Sequence, residues 1–203
     1  SLGFENQMQA VVYDRNGANY CGRMWWMLKW LGHDAVAVLD GGLQAWEASG
    51  GAVEKGAPAA LKPIASKFEL KSALREWVST EQLAPQVGHP NLTLIDARAG
   101  ARYRGEMEPL DPVAGHIPGA LNRPFAENLG ADGFFKSPEV LKAEFEKLLA
   151  GRDPATVVHH CGSGVSTVPN ILAMELAGLG MTRLYPGSWS EWCNTPGLPC
   201  AKG

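Results

Sequence analysis

The feature that most constrains the fold is an internal repeat. Residues 11–46, VVYDRNGANYCGRMWWMLKWLGHDAVAVLDGGLQAW, align without a gap on residues 157–192, VVHHCGSGVSTVPNILAMELAGLGMTRLYPGSWSEW. Glycines and the closing tryptophans, Trp46 and Trp192, coincide at an offset of 192 − 46 = 146 residues. Each copy has the pattern of strand, loop, amphipathic helix, strand and glycine turn. Strands that alternate with helices favour parallel pairing, so the repeat predicts an α/β fold with helices flanking parallel sheets.

The second copy follows a segment that contains three further predicted elements. Residues 92–98, LTLIDAR, are typical of a buried strand, and residues 115–125 of a turn that enters another strand. Residues 137–151 predict a helix with Ser137 as its N-cap. Its spacing places four residues on one apolar face: Leu141, Phe145, Leu148 and Leu149.

The first copy has no such preceding segment, since 96 − 146 places the equivalent of Asp96 before residue 1. We therefore expect residues 1–56 to form the C-terminal half of a domain whose first half is truncated. Residues 57–68 are the expected linker, and residues 69–203 the complete second domain. A half sheet would leave apolar edges open, which predicts that another segment or chain completes the first domain.

Composition excludes several classes of partner. The 203 residues carry a net charge of −3 without a basic run, which argues against nucleic acid and anionic membrane surfaces. No apolar run approaches the roughly 20 residues that span a bilayer. The four cysteines form no CxxC pair and no zinc-ligand spacing, so we expect no metal and no cofactor. Their scatter favours a reducing compartment, and we expect the cytoplasm.

One of these cysteines, Cys161, lies in a glycine-rich loop between a predicted strand and a predicted helix. Gly162 and Gly164 allow the backbone to curl so that successive N–H groups converge on an anion. Such a loop favours the thiolate at Cys161. A structural thiol, a metal ligand, a phosphatase nucleophile and a sulfur carrier are the alternatives. A phosphatase of the HC-x5-R type would need arginine where Thr167 stands.

Several segments resemble the two-domain sulfurtransferases of the rhodanese family. Residues 96–106 (DARAGARYRGE), 115–120 (GHIPGA), 160–166 (HCGSGVS) and 187–192 (GSWSEW) resemble the catalytic second domain. Residues 36–46 (VAVLDGGLQAW) resemble the end of the inactive first domain. The resemblance implies tandem rhodanese-like domains, each a parallel sheet flanked by helices.

The resemblance also implies roles for the loop. Cys161 would take a sulfane sulfur from a donor and carry it as a persulfide to a thiol or cyanide. Ser163 would hydrogen-bond the donor or relay a proton. The loop backbone would bind the anionic sulfur at Gly162, Gly164, Val165 and Ser166. The gapless alignment places Arg15 opposite Cys161, which agrees with an inactive first copy.

Outside the loop, Arg102 matches the arginine that binds the anionic end of the donor in similar enzymes. Arg98 is expected to pair with a carboxylate such as Asp96, with donor contact as the alternative. Trp189 and Trp192 would either line the pocket or pack in the core.

The donor is less well determined, because two signals conflict. The loop CGSGV (161–165) lacks the positive side chains of the thiosulfate type, which favours 3-mercaptopyruvate. However, Leu110 stands where mercaptopyruvate enzymes usually have a second arginine. We expect 3-mercaptopyruvate, with thiosulfate as the alternative, and a small thiol or a thioredoxin-like protein as acceptor. A persulfide carrier that docks a thiol partner without turnover is the alternative to an enzyme.

Overall fold

The computed structural model describes residues 3–56 and 65–203, so residues 57–64 of the predicted linker lie outside the described residues. The first copy of the repeat contains four elements: β1 (Ala10–Val12), α1 (Cys21–Trp30), β2 (Val36–Val38) and α2 (Gly42–Ala48). β1 and β2 pair in parallel, with Val11 opposite Ala37.

The remaining elements form a second unit around a four-stranded sheet. They are α3 (Thr80–Leu83), β3 (Thr93–Asp96), α4 (Gly100–Tyr103), β4 (Leu121–Asn122), α5 (Pro138–Leu149), β5 (Val157–His160), α6 (Val168–Leu176), β6 (Arg183–Leu184) and α7 (Ser188–Asn194). The strand order is β4-β3-β5-β6, and every pair is parallel. The predicted α/β class, with parallel sheets flanked by helices, is confirmed.

Local sequence accounts for α5, the longest helix of this unit. The Ser137 side chain accepts a hydrogen bond from the backbone N–H of Val140, and Pro138 occupies the first helical turn. The predicted apolar face is buried at Leu141, Phe145 and Leu149. Burial of each such side chain stabilises the fold by about 1.5–3 kcal/mol, so this face fixes α5 against the sheet.

Two apolar layers sandwich the sheet, because successive strand residues point to opposite faces. On one face Leu94 and Val158 pack with Trp189 and Trp192. The other face carries the α5 residues, together with Ala173 and Met174 of α6. In the described ranges, no helix is both long and apolar enough to cross a membrane.

The two copies of the repeat pack on each other through α1 and α6. Trp25 and Trp26 of α1 are buried in one cluster with Val168 and Ile171 of α6. Gly22 permits this close approach, since a Cβ there would lie 3.2 Å from a methyl carbon of Val168. The packing brings the N-terminal end of α1 to the loop that precedes α6.

The opposite face of the first copy remains exposed. Val11 is 55% exposed, Tyr13 53% and Trp46 44%, and they line an open groove of about 650 Å³. The apolar surface agrees with the sequence argument for an incomplete sheet. That another segment or chain covers it stays a prediction.

Candidate active site

Cys161 lies at the carboxyl end of β5, where a parallel sheet usually binds its ligand. Its side chain is buried at the base of a cleft of about 390 Å³. The predicted site residues that line this cleft are Arg98, Arg102, Cys161, Gly162, Ser163, Val165 and Ser166. Leu110, at the position expected for a second arginine, lines it as well. The sequence did not indicate the other polar and aromatic lining residues: Asn19, Tyr20, Phe125 and Ser190. Gly164 is buried beneath the loop and does not line the cleft.

Contacts with α7 hold the loop from its carbonyl side. The carbonyl oxygens of Cys161 and Gly162 accept hydrogen bonds from the N–H groups of Trp189 (3.0 Å) and Ser190 (2.9 Å). The N–H of Cys161 donates to Ser188 Oγ at 3.1 Å. In contrast, the backbone N–H groups of residues 162–166 donate to no acceptor in the described part of the chain. Five successive donors are therefore available for an anion at the cysteine.

The corresponding loop of the first copy corrects the alignment by one residue. The N–H of Leu43 donates to the carbonyl of Asp14 (3.1 Å), just as Trp189 donates to Cys161. Leu43 and Trp189 are 146 residues apart, whereas Asp14 and Cys161 are 147 apart. The prediction that Arg15 takes the position of Cys161 is therefore wrong. The two loops are equally long, since 21 − 14 and 168 − 161 both give seven residues from this position to the first residue of the helix. The extra residue of the first copy lies in its helix, because α1 has 10 residues and α6 has 9, and an alignment without gaps does not detect it.

Asp14 shows what this loop geometry binds. Its carboxylate accepts four hydrogen bonds from backbone N–H groups of its own loop: Asn16 (2.8 Å), Ala18 (3.1 Å), Tyr20 (2.8 Å) and Cys21 (2.9 Å). Burial raises the pKa of Asp14, but the backbone hydrogen bonds outweigh it and hold the pKa below its usual value. The N–H groups of the first loop therefore bind the carboxylate of Asp14, whereas those of residues 162–166 remain available for a different anion.

Gly164 is the position where the second loop most requires glycine. Its φ is +74°, and a Cβ there would lie 2.4 Å from the carbonyl oxygen of Pro186. Gly162 differs, because its φ is not positive and its Cβ would meet Arg102 only at 3.5 Å. The two glycines therefore have separate roles: Gly164 permits the turn, and Gly162 leaves room beside the arginine.

We expect Gly164→Ala to lower the free energy of unfolding by about 2–5 kcal/mol. A left-handed backbone costs a side chain about 1–2 kcal/mol, and the overlap with Pro186 adds about 1–3 kcal/mol. Gly162→Ala is the matched control and should cost less than about 1 kcal/mol. Urea unfolding of both variants tests this, and equal losses would contradict the steric argument.

Arg102 is held beside the loop by acidic residues. Its Nη2 donates to Glu108 Oε1 at 2.6 Å, its Nε to Glu108 Oε2 at 3.2 Å, and Asp111 lies 3.4 Å away. Burial raises the pKa of Glu108, but its hydrogen bonds with Arg102 and with the backbone outweigh burial and lower it. The Arg102 side chain keeps 17% exposure, so it reaches the cleft while charged.

Arg98 makes the carboxylate pair that the sequence predicted. Its Nη2 donates to Asp96 Oδ2 at 2.6 Å and to the carbonyl of Gly115 at 2.7 Å. The guanidinium also lies 4.9 Å from the ring centroid of Trp189. With its side chain only 2% exposed, Arg98 links β3 to the loop before β4.

Trp189 and Trp192 are core residues, so of the two roles expected for them packing is the one observed. Both are fully buried, and their indole N–H groups donate to the carbonyls of Val113 and Pro199.

His159, on β5, is buried too, and burial lowers its pKa to about 3. It is neutral at physiological pH and contacts Met174 rather than the cysteine.

Sequence reasoning missed the contributions of the first copy and of α7. Asn19 and Tyr20 line the cleft from the first copy, and Ser188 binds the backbone of Cys161. The repeat contained a signal for Tyr20, which immediately precedes α1 as Thr167 immediately precedes α6. Nothing in the local pattern indicated Ser188.

Comparison with known proteins agrees with this geometry. The family model of the rhodanese-like domain matches residues 2–49 and 79–195, which together make up most of the chain. The chain belongs to the rhodanese family. The unmatched stretch between the two ranges, residues 50–78, includes the predicted linker and residues on both sides of it.

Three similar proteins are named as sulfurtransferases. A probable 3-mercaptopyruvate sulfurtransferase of Pseudomonas aeruginosa is 46% identical over 202 residues, covering 99% of this chain and 70% of that protein. Thiosulfate sulfurtransferase of Bos taurus is 37% identical, covering 95% of this chain and 65% of that protein. A solved structure of 3-mercaptopyruvate sulfurtransferase from Leishmania major has a TM-score of 0.80 and 32% identity, covering 94% of this chain and 52% of that one. These relatives confirm the prediction of an enzyme of the sulfurtransferase class.

Proposed function

We propose that this protein moves a sulfane sulfur from 3-mercaptopyruvate through a Cys161 persulfide to a thiol or to cyanide. The observation that carries the proposal is the set of backbone donors around Cys161. In the first copy, the N–H groups of Asn16 and Ala18, which are equivalent to those of Ser163 and Val165, bind the carboxylate of Asp14. Those of residues 162–166 have no protein acceptor in the described ranges, and they surround a buried cysteine. A thiolate or a persulfide anion is the matching ligand.

The first step loads the cysteine. The Cys161 thiolate attacks the sulfur of 3-mercaptopyruvate, so an S–S bond forms and the C–S bond breaks. The electron pair of that bond passes to the methylene carbon as an enolate, which takes up the thiol proton to give pyruvate. With thiosulfate as donor, the bond between the two sulfurs breaks and sulfite leaves with the electron pair. Both routes leave Cys161 as a persulfide anion.

The second step transfers the outer sulfur from Cys161 to the acceptor. A thiolate or cyanide attacks the outer sulfur, the S–S bond to Cys161 breaks, and the cysteine leaves as a thiolate. Because the loop donors hold a sulfur anion before and after each transfer, they stabilise both resting forms. This sequence predicts ping-pong kinetics. In this proposal Ser163 hydrogen-bonds the donor or relays a proton, since its exposed side chain lines the cleft beside Cys161.

The charges of the cleft favour 3-mercaptopyruvate over thiosulfate. Arg98 and Arg102 are its two arginines, and they face three carboxylates: Asp96, Glu108 and Asp111. The loop itself adds no charged side chain. A dianion such as thiosulfate is therefore less well matched than a donor with one carboxylate. We assign that carboxylate to Arg102, the more exposed arginine of the two.

The state of the cysteines supports a proposal for the cellular compartment and for the sulfur acceptor. All four are free in the structure, and none pairs with another. This state supports the proposed cytoplasmic location, where thiols stay reduced. Small thiols and thioredoxin-like proteins are available there as acceptors. We further propose that another segment or chain covers the exposed groove of the first copy.

Sulfur loading in a single turnover tests the proposal. Each donor is mixed with excess protein, and intact mass reports the added sulfur over time. We expect faster loading with 3-mercaptopyruvate than with thiosulfate. Arg102→Met should slow 3-mercaptopyruvate loading by roughly 10–100-fold, since a hydrogen-bonded charge pair contributes about 1.5–3 kcal/mol.

Arg104→Met is the matched control, because Arg104 belongs to the same segment but pairs with Glu106 at the surface. Equal loading by the two variants would remove Arg102 from donor binding. A stable adduct without turnover to any acceptor would favour a persulfide carrier. The absence of any adduct would overturn the proposed function.

A further inference from the structure

A third arginine contacts the cysteine loop from the first copy of the repeat. Arg23 lies on α1, and its Nη1 donates to the carbonyl oxygen of Gly164 at 3.2 Å. Its guanidinium lies 5.4 Å from the ring centroid of Trp26, which is buried in the interface between α1 and α6. Arg23 does not line the cleft, but lines a separate pocket of about 220 Å³ with Trp26 and Pro186. It therefore approaches the loop from the side away from the cleft.

This contact fixes the direction of one loop peptide. The peptide between Gly164 and Val165 is trans and planar, so its C=O and its N–H point in opposite directions. Since Arg23 binds the carbonyl on the side away from the cleft, the Val165 N–H is directed to the cleft side. That N–H is one of the donors without a protein acceptor in the described ranges. The positive φ of Gly164 permits this orientation.

We propose that Arg23 is a positioning residue for sulfur transfer. It orients the Gly164–Val165 peptide toward the sulfur of Cys161 and supplies a positive charge behind the loop. The inference rests on the proposed function for its chemistry, but the arrangement of the loop is a property of the protein without a donor. It also assigns a role to the first copy, which has Asp14 in place of a nucleophile.

Charge balance distinguishes Arg23 from the arginines of the cleft. Arg98 and Arg102 are each paired with carboxylates, whereas no ion pair joins Arg23 to a carboxylate anywhere in residues 3–56 or 65–203. Burial lowers the pKa of Arg23, and attraction to Cys161 acts in the opposite direction. Its charge is thus not cancelled by a neighbouring acid and remains available to the sulfur anion.

Other titratable or charged groups lie around the loop. From β3, α4 and the segment after it come Asp96, Arg98, Arg102, Glu108 and Asp111; from β5 comes His160; from the residue before α1 comes Tyr20. Burial lowers the pKa of His160, so it stays neutral. Arg23 has no carboxylate partner in the described ranges, so its removal leaves no acid unpaired. A shift in the pH profile of Cys161 alkylation would therefore report the loss of Arg23 itself.

The test is alkylation of Cys161 by iodoacetamide as a function of pH, located by peptide mass. Arg23→Met keeps the aliphatic stem and removes both the charge and the donor. We expect its alkylation at pH 7 to be roughly 3–10-fold slower, with the midpoint of the pH profile raised by about half a unit to one unit. Arg23→Lys should recover part of the rate, and Arg23→Gln, which keeps a donor without charge, should separate orientation from charge.

Arg15→Met is the matched control, because Arg15 is an exposed arginine of the first copy that pairs with Glu47. An Arg23→Met profile with the midpoint of Arg15→Met would overturn the proposal. If Arg23→Met does not fold, the comparison of Arg23→Lys with Arg23→Gln decides: equal midpoints refute the charge effect. Alkylation uses no sulfur donor. A shifted profile in a protein that fails to load sulfur would therefore leave this inference standing while the proposed function fails.

Discussion

Cys161→Ser is expected to abolish sulfur loading, with a single-turnover rate lower by about 10⁴-fold or more, as for other removed nucleophiles. A serine hydroxyl does not form the S–S bond on which the transfer depends, and it ionises far less readily than a thiol. The fold should change little, because serine is nearly the same size and the surrounding loop already presents polar N–H groups. The measurement is intact mass after one turnover, together with thermal unfolding.

Two of the other three cysteines provide the controls for this experiment. Cys193 is partly buried in α7, and Cys200 is exposed near the C-terminal end. Burial raises the pKa of each of these two thiols. Cys193→Ser and Cys200→Ser should therefore keep full loading. Loading that survives in Cys161→Ser but disappears in either control would place the nucleophile elsewhere.

Arg98→Met is expected to lower the free energy of unfolding by about 3–5 kcal/mol, the usual result of removing one partner of a buried ion pair. Asp96 is fully buried, and the Glu108 side chain is only 3% exposed. Without the guanidinium, both carboxylates stay in the interior with fewer donors, or take up protons. Denaturant unfolding at pH 7 measures the loss.

Two further variants make this result specific. Arg104→Met removes an arginine of the same segment whose ion pair is exposed, and it should change stability little. Asp96→Asn combined with Arg98→Met should recover part of the loss, because the charge that lacked a partner is then absent. An Arg98→Met loss no larger than that of Arg104→Met would show that the buried pair does not stabilise the fold.

The elements that sequence reasoning predicted best depend on short-range patterns. Ser137 and Pro138 specify the start of α5, and its apolar spacing specifies the buried face. Cys161 was located by glycines that a tight loop requires, next to a β-branched strand. The rhodanese resemblance then supplied the roles, which local patterns alone left open among several chemistries.

The error at Arg15 originates in the helix that follows the loop. α1 has 10 residues and α6 has 9, so the offset between the copies is 147 residues before the helix and 146 after it. The alignment without gaps matched the glycines and tryptophans after the helix, which shifted β1 and its loop by one residue. Only the backbone hydrogen bonds from Leu43 and Trp189 show that Asp14 is the equivalent of Cys161.

The sequence by itself determined the α/β class, the repeat, the cysteine loop and the pairing of Arg98 with Asp96. Each of these depends on residues that are close in the chain or on a pattern that recurs. The tertiary structure alone decided that Arg23 contacts Gly164, 141 residues away, and that Glu108 and Asp111 pair with Arg102. Such contacts follow from the packing of α1 on α6 and from the folding of the segment after α4, for which local periodicity contains no information.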